Sequence, residues 1–524
     1  YNLDLIEAYL AIFPDRKAQL LFESDPLPFF DNAHVVQPRA ARFVLYDGDP
    51  MQLNAVVEDQ EKAATIEARS ESPNWARGKH GQGDIFRLPL YSKLSLLALI
   101  KFATLDPSGM GIQMEAGKPG WYDAMNGLPG LFGSSMPETC ELLRLVEFLI
   151  EAGAGSSHKI LLPVEANGLM KAIEKTSDVD ADPFSAWDER SSALEAYRAS
   201  ITLGFEGETT LVDLAALLPI MRKNLQHAIK KAKSLAEDLM PTYLIHEVTD
   251  YELTGTKDVE GRPHIRPTGF SVKALPNFLE GPARLMKVLD QKDAQDLAQA
   301  VKESDLLDKA LKMYKVNASL EDQPFEIGRA RAFTPGWLEN ESIWMHMAFK
   351  YLLELQKAGL YSEFFEDLRR HLPAFMDPDI YGRSPLENSS FIVSSAHPDP
   401  SLHGNGFVAR LSGSTAEFLS MWALMTAGKQ PFRVEDGELV LRLQPALPGW
   451  MFDAEGKFTF RFLGSCKVIL HNPSRQDTYS EGQEIKKIEL CFGDTNVRIN
   501  STNIGSPFAE KIRDGEISLI QLHY

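Results

Sequence analysis

Ser134-Ser135-Met136-Pro137-Glu138-Thr139-Cys140-Glu141-Leu142-Leu143-Arg144-Leu145-Val146-Glu147-Phe148-Leu149-Ile150-Glu151-Ala152 carries the pattern from which the fold class is read. Serines precede a proline at an early helical position, where no N–H is needed, and an acid follows in the first turn. Large apolar side chains then recur every three or four residues, which predicts an amphipathic helix over Glu138–Ala152. Similar spacing runs through Tyr91–Leu105, Leu211–Leu239, Ala294–Tyr314, Trp337–Ala358 and Ser414–Thr426. Many helices joined by long loops over residues 1–430 predict a mainly α fold, a toroid of helical hairpins. Tyr243–Leu253 and Arg266–Ala274 read as strands, so a β-hairpin excursion is expected near residues 241–275. Over residues 431–524 short β-type runs take over: Glu438–Leu443, Lys457–Phe462, Lys467–His471, Ile485–Phe492, Val497–Asn500 and Glu516–Leu522. Their spacing predicts a small β-sandwich.

A chain of 524 residues is long enough for two domains, or three. Its net charge of −19 argues against nucleic acid and anionic membrane as partners, since both repel it at long range. A phosphate site would therefore have to be a local cationic pocket. Cys140, Cys466 and Cys491 form no CxxC pair, which argues against a zinc site and for a reducing compartment, so a cytoplasmic location is expected. No apolar run is long enough to span a membrane. The opening Tyr1-Asn-Leu-Asp-Leu-Ile-Glu-Ala-Tyr-Leu reads as the middle of a helix, so an upstream portion is expected on a missing segment or a separate chain. Walker A, HExxH and GxSxG are absent, and Gly404-Asn405-Gly406 has no βαβ unit around it. No metal or organic cofactor is expected.

Three loops carry the chemistry. Leu105–Ser135 is dense in Gly and Pro yet rich in large apolar groups, and loops of this length are functional or disordered. Its centre, Gly120-Trp121-Tyr122-Asp123, sets a carboxyl beside two aromatics. A partly desolvated Asp suits a general acid and the rings suit sugar stacking, although Asp123 also fits a plain turn cap. Phe333-Thr-Pro-Gly-Trp-Leu-Glu339-Asn340-Glu-Ser-Ile-Trp-Met-His346 runs from a loop into a helix with Glu339 and His346 on one face. His346 fits either a core position or an oxyanion contact. Arg410-Leu-Ser412-Gly413-Ser precedes an apolar helix and offers hydroxyls and free N–H groups, as an anion cradle or as an ordinary N-cap.

Together these loops resemble the cellobiose phosphorylase-like group of inverting glycoside phosphorylases, closest to its large β-1,3- and β-1,2-oligoglucan enzymes. The group's Trp-Asn-Asp-Gly-Met stands here as Trp121-Tyr122-Asp123-Ala124-Met125. Its Glu-Asn-Gly-Gly-x-aromatic-x-His stands as Glu339-Asn340-Glu341-Ser342-Ile343-Trp344-Met345-His346, and its later Thr-Gly pair as Ser412-Gly413. Leu441-Arg-Leu-Gln-Pro-Ala-Leu-Pro-Gly-Trp450 is similar to the group's passage into its C-terminal β-domain. The departures, Tyr122 for Asn, Glu341-Ser342 for Gly-Gly and Ser412 for Thr, bear on subsites and linkage more than on the reaction.

The resemblance implies an (α/α)6 catalytic barrel over residues 1–430, lacking its first helices, then a C-terminal β-sandwich or jelly roll over 431–524. The family's N-terminal β-sandwich is expected to lie outside this sequence. It also implies a homodimer that splits a β-glucan oligosaccharide with inorganic phosphate, releasing α-glucose 1-phosphate, with β-1,3 linkage favoured. Asp123 would protonate the glycosidic oxygen. His346, Ser412 and the Gly413 N–H would hold phosphate, and Trp121, Tyr122, Glu339, Asn340 and Arg410 would bind sugar or add charge. The competing readings are an inverting hydrolase or transglycosylase with Glu339 or Glu387 as base, and a glycan-binding protein without turnover.

Overall fold

The computed structural model describes residues 2–115, 120–154, 159–408, 412–492 and 495–524, except the side chain of Ser412. It overturns the expected fold class. The chain is mixed α/β, about 40% helix and 23% strand, with several sheets, and not a mainly α (α/α)6 barrel.

The reason lies in the runs that read as helices and in a stretch that gave no strand signal. Leu211–Leu239 divides into a strand, Thr209–Asp213, which pairs with Lys159–Pro163, and a helix that starts only at Leu217. Ala294–Tyr314 stops being helical at Glu303, and Leu307–Asp308 then pairs with Met313–Tyr314. Trp337–Ala358 begins as a tight turn, and its helix starts at Met345. Upstream of these, Leu27–Pro28 pairs with Arg87–Leu88, His34–Val36 with Val56–Glu58, and Phe43–Tyr46 with Asp49–Gln52.

The chain divides into two compact units. The larger comprises Ser24–Tyr351 and Met376–Arg410. A six-stranded sheet runs through it in the order Asp49–Gln52, Phe43–Tyr46, Pro263–Ala274, Tyr243–Lys257, Ser134–Ser135, Ile112–Gln113. Tyr243–Lys257 and Pro263–Ala274 form a long antiparallel hairpin, with register breaks after Val248 and Asp250. Its inner half, Tyr243–His246, is buried; from Asp250 onward that strand is exposed. Phe43, Phe132, Trp187 and Ile265 make a core at this sheet, with Phe184, Val248 and Phe270 packed on it. Helix Met136–Gly153 leaves the sheet directly from Ser135, whose hydroxyl accepts the Glu138 N–H. Met136, Cys140, Leu143, Val146 and Leu149 form its buried stripe, and Leu217–Lys233 packs beside it. Each such large side chain contributes about 1.5–3 kcal/mol of burial, which holds the loop end before the helix in place.

The smaller unit comprises Tyr1–Glu23, Leu352–Phe375 and Leu411–Tyr524. Where a sandwich was expected, its C-terminal strands form one five-stranded sheet in the order Lys457–Phe462, Cys466–His471, Leu519–His523, Lys487–Phe492, Thr495–Ile499. Leu519–His523 lies parallel to Cys466–His471, after the short helix Phe508–Arg513. Phe432–Glu435 and Glu438–Leu441 form a separate hairpin. Alternation places Phe460, Val468, Leu470, Leu490, Ile520 and Leu522 on the buried face of the five-stranded sheet.

Candidate active site

The loop over residues 105–135 is held at its base by one buried carboxylate. Asp106 Oδ1 accepts the N–H of Ser108 at 3.0 Å and of Met110 at 2.9 Å. Oδ2 accepts the Gly111 N–H at 2.6 Å and the Ser134 hydroxyl at 2.7 Å. His246, from the buried half of the hairpin, brings Nε2 to 3.4 Å from the same oxygen and Nδ1 to 3.1 Å from the Phe132 carbonyl. Burial alone would raise the Asp106 pKa. The charge and hydrogen bond of His246, with the Met110 N–H and the Ser134 hydroxyl, outweigh it and hold the carboxyl below its usual value. The loop's first turn, its last strand and the hairpin therefore meet in a single clasp.

Further along the loop, two glycines let a second segment approach. A Cβ on Gly127 would lie 2.0 Å from the Glu326 carbonyl, and one on Gly328 would lie 2.6 Å from the Ala124 carbonyl. Gly328 also has φ +131, which side chains rarely adopt. With the backbones this close, the Arg329 N–H donates to Asn126 Oδ1 at 3.1 Å. Its guanidinium then reaches two carboxylates with one nitrogen: Nη2 is 3.0 Å from Asp123 Oδ1 and 3.7 Å from Glu339 Oε1.

Glu339 sits in a turn with left-handed backbone on either side, at Leu338 (φ 51) and Glu341 (φ 53). Such conformations cost about 1–3 kcal/mol each in non-glycine residues and persist only where surroundings impose them. The surroundings are visible. The Tyr122 hydroxyl donates to the Glu339 carbonyl and the Ser342 hydroxyl to the Leu338 carbonyl. Asn340 Nδ2 donates to the Phe333 carbonyl at 2.8 Å, the Glu341 N–H donates to Asn317 Oδ1 at 3.0 Å, and Lys315 Nζ reaches Glu341 Oε2 at 2.8 Å.

The sequence-based site residues fall as follows. Asp123 opens a short 3-10 turn with a carboxylate 66% exposed, whereas Glu339 is only 14% exposed. The desolvated carboxyl is thus Glu339: burial, opposed by Arg329 and reinforced by the charge of Asp123, raises its pKa. Tyr122 is buried and packs edge-on against Phe278 at 5.5 Å, so it supports the loop and presents no stacking face. Burial, then the charges of Glu339, Asp123 and Glu280, push its phenol well above the usual value. Trp121 is half-buried and meets His346 edge-to-face at 5.4 Å, which brings this helix-borne imidazole beside the loop. Asn340 is buried and its amide serves the turn. Glu387 is exposed and pairs with Arg383 at 3.5 Å. Ser412 and Gly413 begin the helix Ser412–Ala427 in the smaller unit. Arg410 lies outside the described residues.

Sequence reasoning missed Arg329, Lys315 and Asn317. The one signal for Arg329 was its place after a glycine in Gly328-Arg329-Ala330-Arg331, shortly before Glu339. Among the described residues no group of three or more His, Cys, Asp or Glu is placed to hold a metal ion, and no helix is long and apolar enough to cross a membrane. The chain matches no protein-family model and no curated protein.

Proposed function

We propose that this chain cleaves a β-linked glucan oligosaccharide by inverting phosphorolysis, giving α-glucose 1-phosphate and a shortened oligosaccharide. One observation carries the reading. Two loops far apart in sequence, each resembling a phosphorylase motif, meet through Arg329 between Asp123 and Glu339 and through Trp121 against His346. Such a cluster has the parts that glycosidic cleavage needs. Asp123, exposed and oriented by a guanidinium, protonates the departing oxygen. Trp121 offers an aromatic face to a sugar ring, and Glu339 hydrogen-bonds a hydroxyl near the scissile bond. His346 contributes N–H donation to the phosphate, which replaces the base that an inverting hydrolase uses to activate water. No cofactor is required, since positioning and electrostatics suffice.

The pairing of Asp123 with a second carboxyl, Glu339, favours one other reading, an inverting hydrolase with Glu339 as base. A base tuned upward toward neutral pH is efficient, and burial moves Glu339 in that direction. The two are separated by incubating the chain with laminari-, sophoro- and cello-oligosaccharides, with and without phosphate, and assaying glucose 1-phosphate and free sugar. Phosphate-dependent α-glucose 1-phosphate that disappears in Asp123→Asn is the expected result and identifies the linkage. Sugar released equally without phosphate replaces the phosphorylase reading with the hydrolase. Saturable oligosaccharide binding without any product replaces both with a glycan-binding protein.

A further inference from the structure

Arg42 ends the short helix Arg39–Arg42, and its side chain is only 5% exposed. A guanidinium taken this far from water is costly unless its N–H groups find acceptors. Yet Nε and Nη1 of Arg42 are both buried and have no hydrogen-bond acceptor among the described residues. The carboxylate beside it, Glu115, stays 3.5 Å from Nη1, and the same Glu115 oxygen takes a 2.7 Å bond from Arg198 Nη1. Burial pulls the Arg42 pKa down to about 10, with Glu115 acting against it, so the charge is still present at neutral pH.

The surrounding groups are committed elsewhere. Arg39 donates from Nε to Glu195 Oε1 at 2.9 Å, from Nη1 to Asp188 Oδ1 at 2.7 Å and from Nη2 to Ser192 Oγ at 2.8 Å. Its guanidinium also lies 5.0 Å from the Trp187 ring, and Trp187 Nε1 donates to Gln113 Oε1 at 3.2 Å. That bond orients the Gln113 amide. Its Nε2 is then a further buried donor without an acceptor among the described residues. Gln113 and Glu115 stand two apart on an extended segment and so share a side of it. Three guanidinium groups thus gather against Glu115 and Glu195, with Asp188 at the solvent rim.

We propose that Arg42 and Gln113 form a binding site for a small oxyanion of the phosphate or sulfate type, at the root of the loop over residues 105–135. A tetrahedral oxyanion accepts several hydrogen bonds at once and matches the fork of a guanidinium. A water molecule could accept from these donors but would leave the buried charge unbalanced. The site shares no residue with the cluster at Asp123 and Glu339, and its ligand binds whichever reaction is run there. Its occupant ties the strand end at Gln113 to the helix Arg39–Arg42, and through Trp187 to the helix Pro183–Ser200.

The test is calorimetric titration of the chain with sulfate at constant ionic strength, with inorganic phosphate and glucose 1-phosphate as further arms. Wild type should bind sulfate. Arg42→Gln should bind it at least about tenfold more weakly, as loss of charge-assisted hydrogen bonds requires. Gln113→Glu is a second variant, should loss of Arg42 disturb folding. It keeps an acceptor for Trp187 Nε1 and sets a carboxylate beside Arg42, so sulfate binding should disappear while the melting temperature holds or rises. His346→Gln should keep the wild-type affinity for sulfate, which separates this site from the candidate active site. Binding of the free anions or of the sugar phosphate, with that dependence on Arg42 and Gln113, supports the site and tells ion from ester. Wild type that binds neither sulfate nor phosphate, or equal binding in Arg42→Gln and Gln113→Glu, overturns it. Sulfate affinity lost in His346→Gln but kept in Arg42→Gln overturns it too, because the anion then belongs beside Trp121.

Discussion

Asp106→Asn is a near-isosteric change with a large expected effect. Both carboxylate oxygens of Asp106 accept: Oδ1 from the Ser108 and Met110 N–H groups, Oδ2 from the Gly111 N–H and the Ser134 hydroxyl, with His246 at 3.4 Å. An amide has one acceptor. Whichever way it is turned, its NH2 meets backbone N–H donors on one side, and His246 Nε2 loses the carboxylate beside it. Removing one partner of a buried pair costs about 3–5 kcal/mol, and the site is fully buried. The sign with pH follows from the lowered pKa of Asp106. A depressed carboxyl contributes stability above its unfolded value of ~3.9 and loses it as pH falls through the folded value. The gap between wild type and mutant should thus be full at neutral pH and close in strong acid. Urea unfolding at several pH values measures it, read on the transition that the mutation moves, because two compact units can unfold separately. A loss below ~1 kcal/mol at neutral pH, within reach of one ordinary hydrogen bond, would refute the idea that this carboxylate clasps the loop.

Other substitutions probe the remaining parts. In Glu339 the folded pKa is raised, so ionisation costs stability as pH climbs from ~4.3 through the folded value; Glu339→Gln should be at least as stable as wild type near neutral pH and lose that margin by pH ~4, as followed by melting temperature. Burial works against ionisation of Glu141, yet Lys287, Arg284 and Arg144 bring its pKa down to about 2; Glu141→Gln should cost roughly 1–2 kcal/mol at neutral pH, fading between pH ~4 and ~2, in a denaturant series. Gly328→Ala forces a Cβ to 2.6 Å from the Ala124 carbonyl at φ +131, so it should lose about 2 kcal/mol or more and reduce turnover more than Arg329→Lys does, in the glucose 1-phosphate assay.

Local signals were legible where one segment satisfies itself. Glu138–Ala152 lies within the helix Met136–Gly153, Ser414–Thr426 within Ser412–Ala427, and Lys457–Phe462 is a strand with those bounds. The hairpin over Tyr243–Ala274 was visible because its turn and alternation are contiguous. What failed was inference from helix number to architecture. Val44 pairs with His264, and Leu244 with Ser134; such partners leave no local periodicity, and two-residue strands leave almost none. Leu211 and its neighbours fit a helix as well as an alternating strand, and the pairing with Lys159–Pro163 decided between them. At the candidate site, Asp123 and Glu339 come to the same guanidinium, but the desolvation expected of Asp123 is found at Glu339. Flanking aromatics suggested a desolvated Asp123, whereas Tyr122 turns inward against Phe278 and the buried carboxyl is Glu339. Arg329 carries no pattern of its own, because what matters is the backbone approach at Gly127 and Gly328, which is set in three dimensions.

The first strand of the long hairpin crosses from core to solvent along its length. Amides of Tyr243–His246, in the buried half, can exchange with deuterium only when the whole unit opens. Beyond the register breaks at Val248 and Asp250, the first strand is exposed, whereas the second stays anchored there by buried His264 and Ile265 and by the pairing of His264 with Val44. Protection should therefore fall along the first strand at the bulge, while the amides of the second strand near Ile265 stay protected by the core they face. A protease meeting the native protein would accordingly find the far turn, Asp258–Arg262, open to attack long before any bond near the sheet.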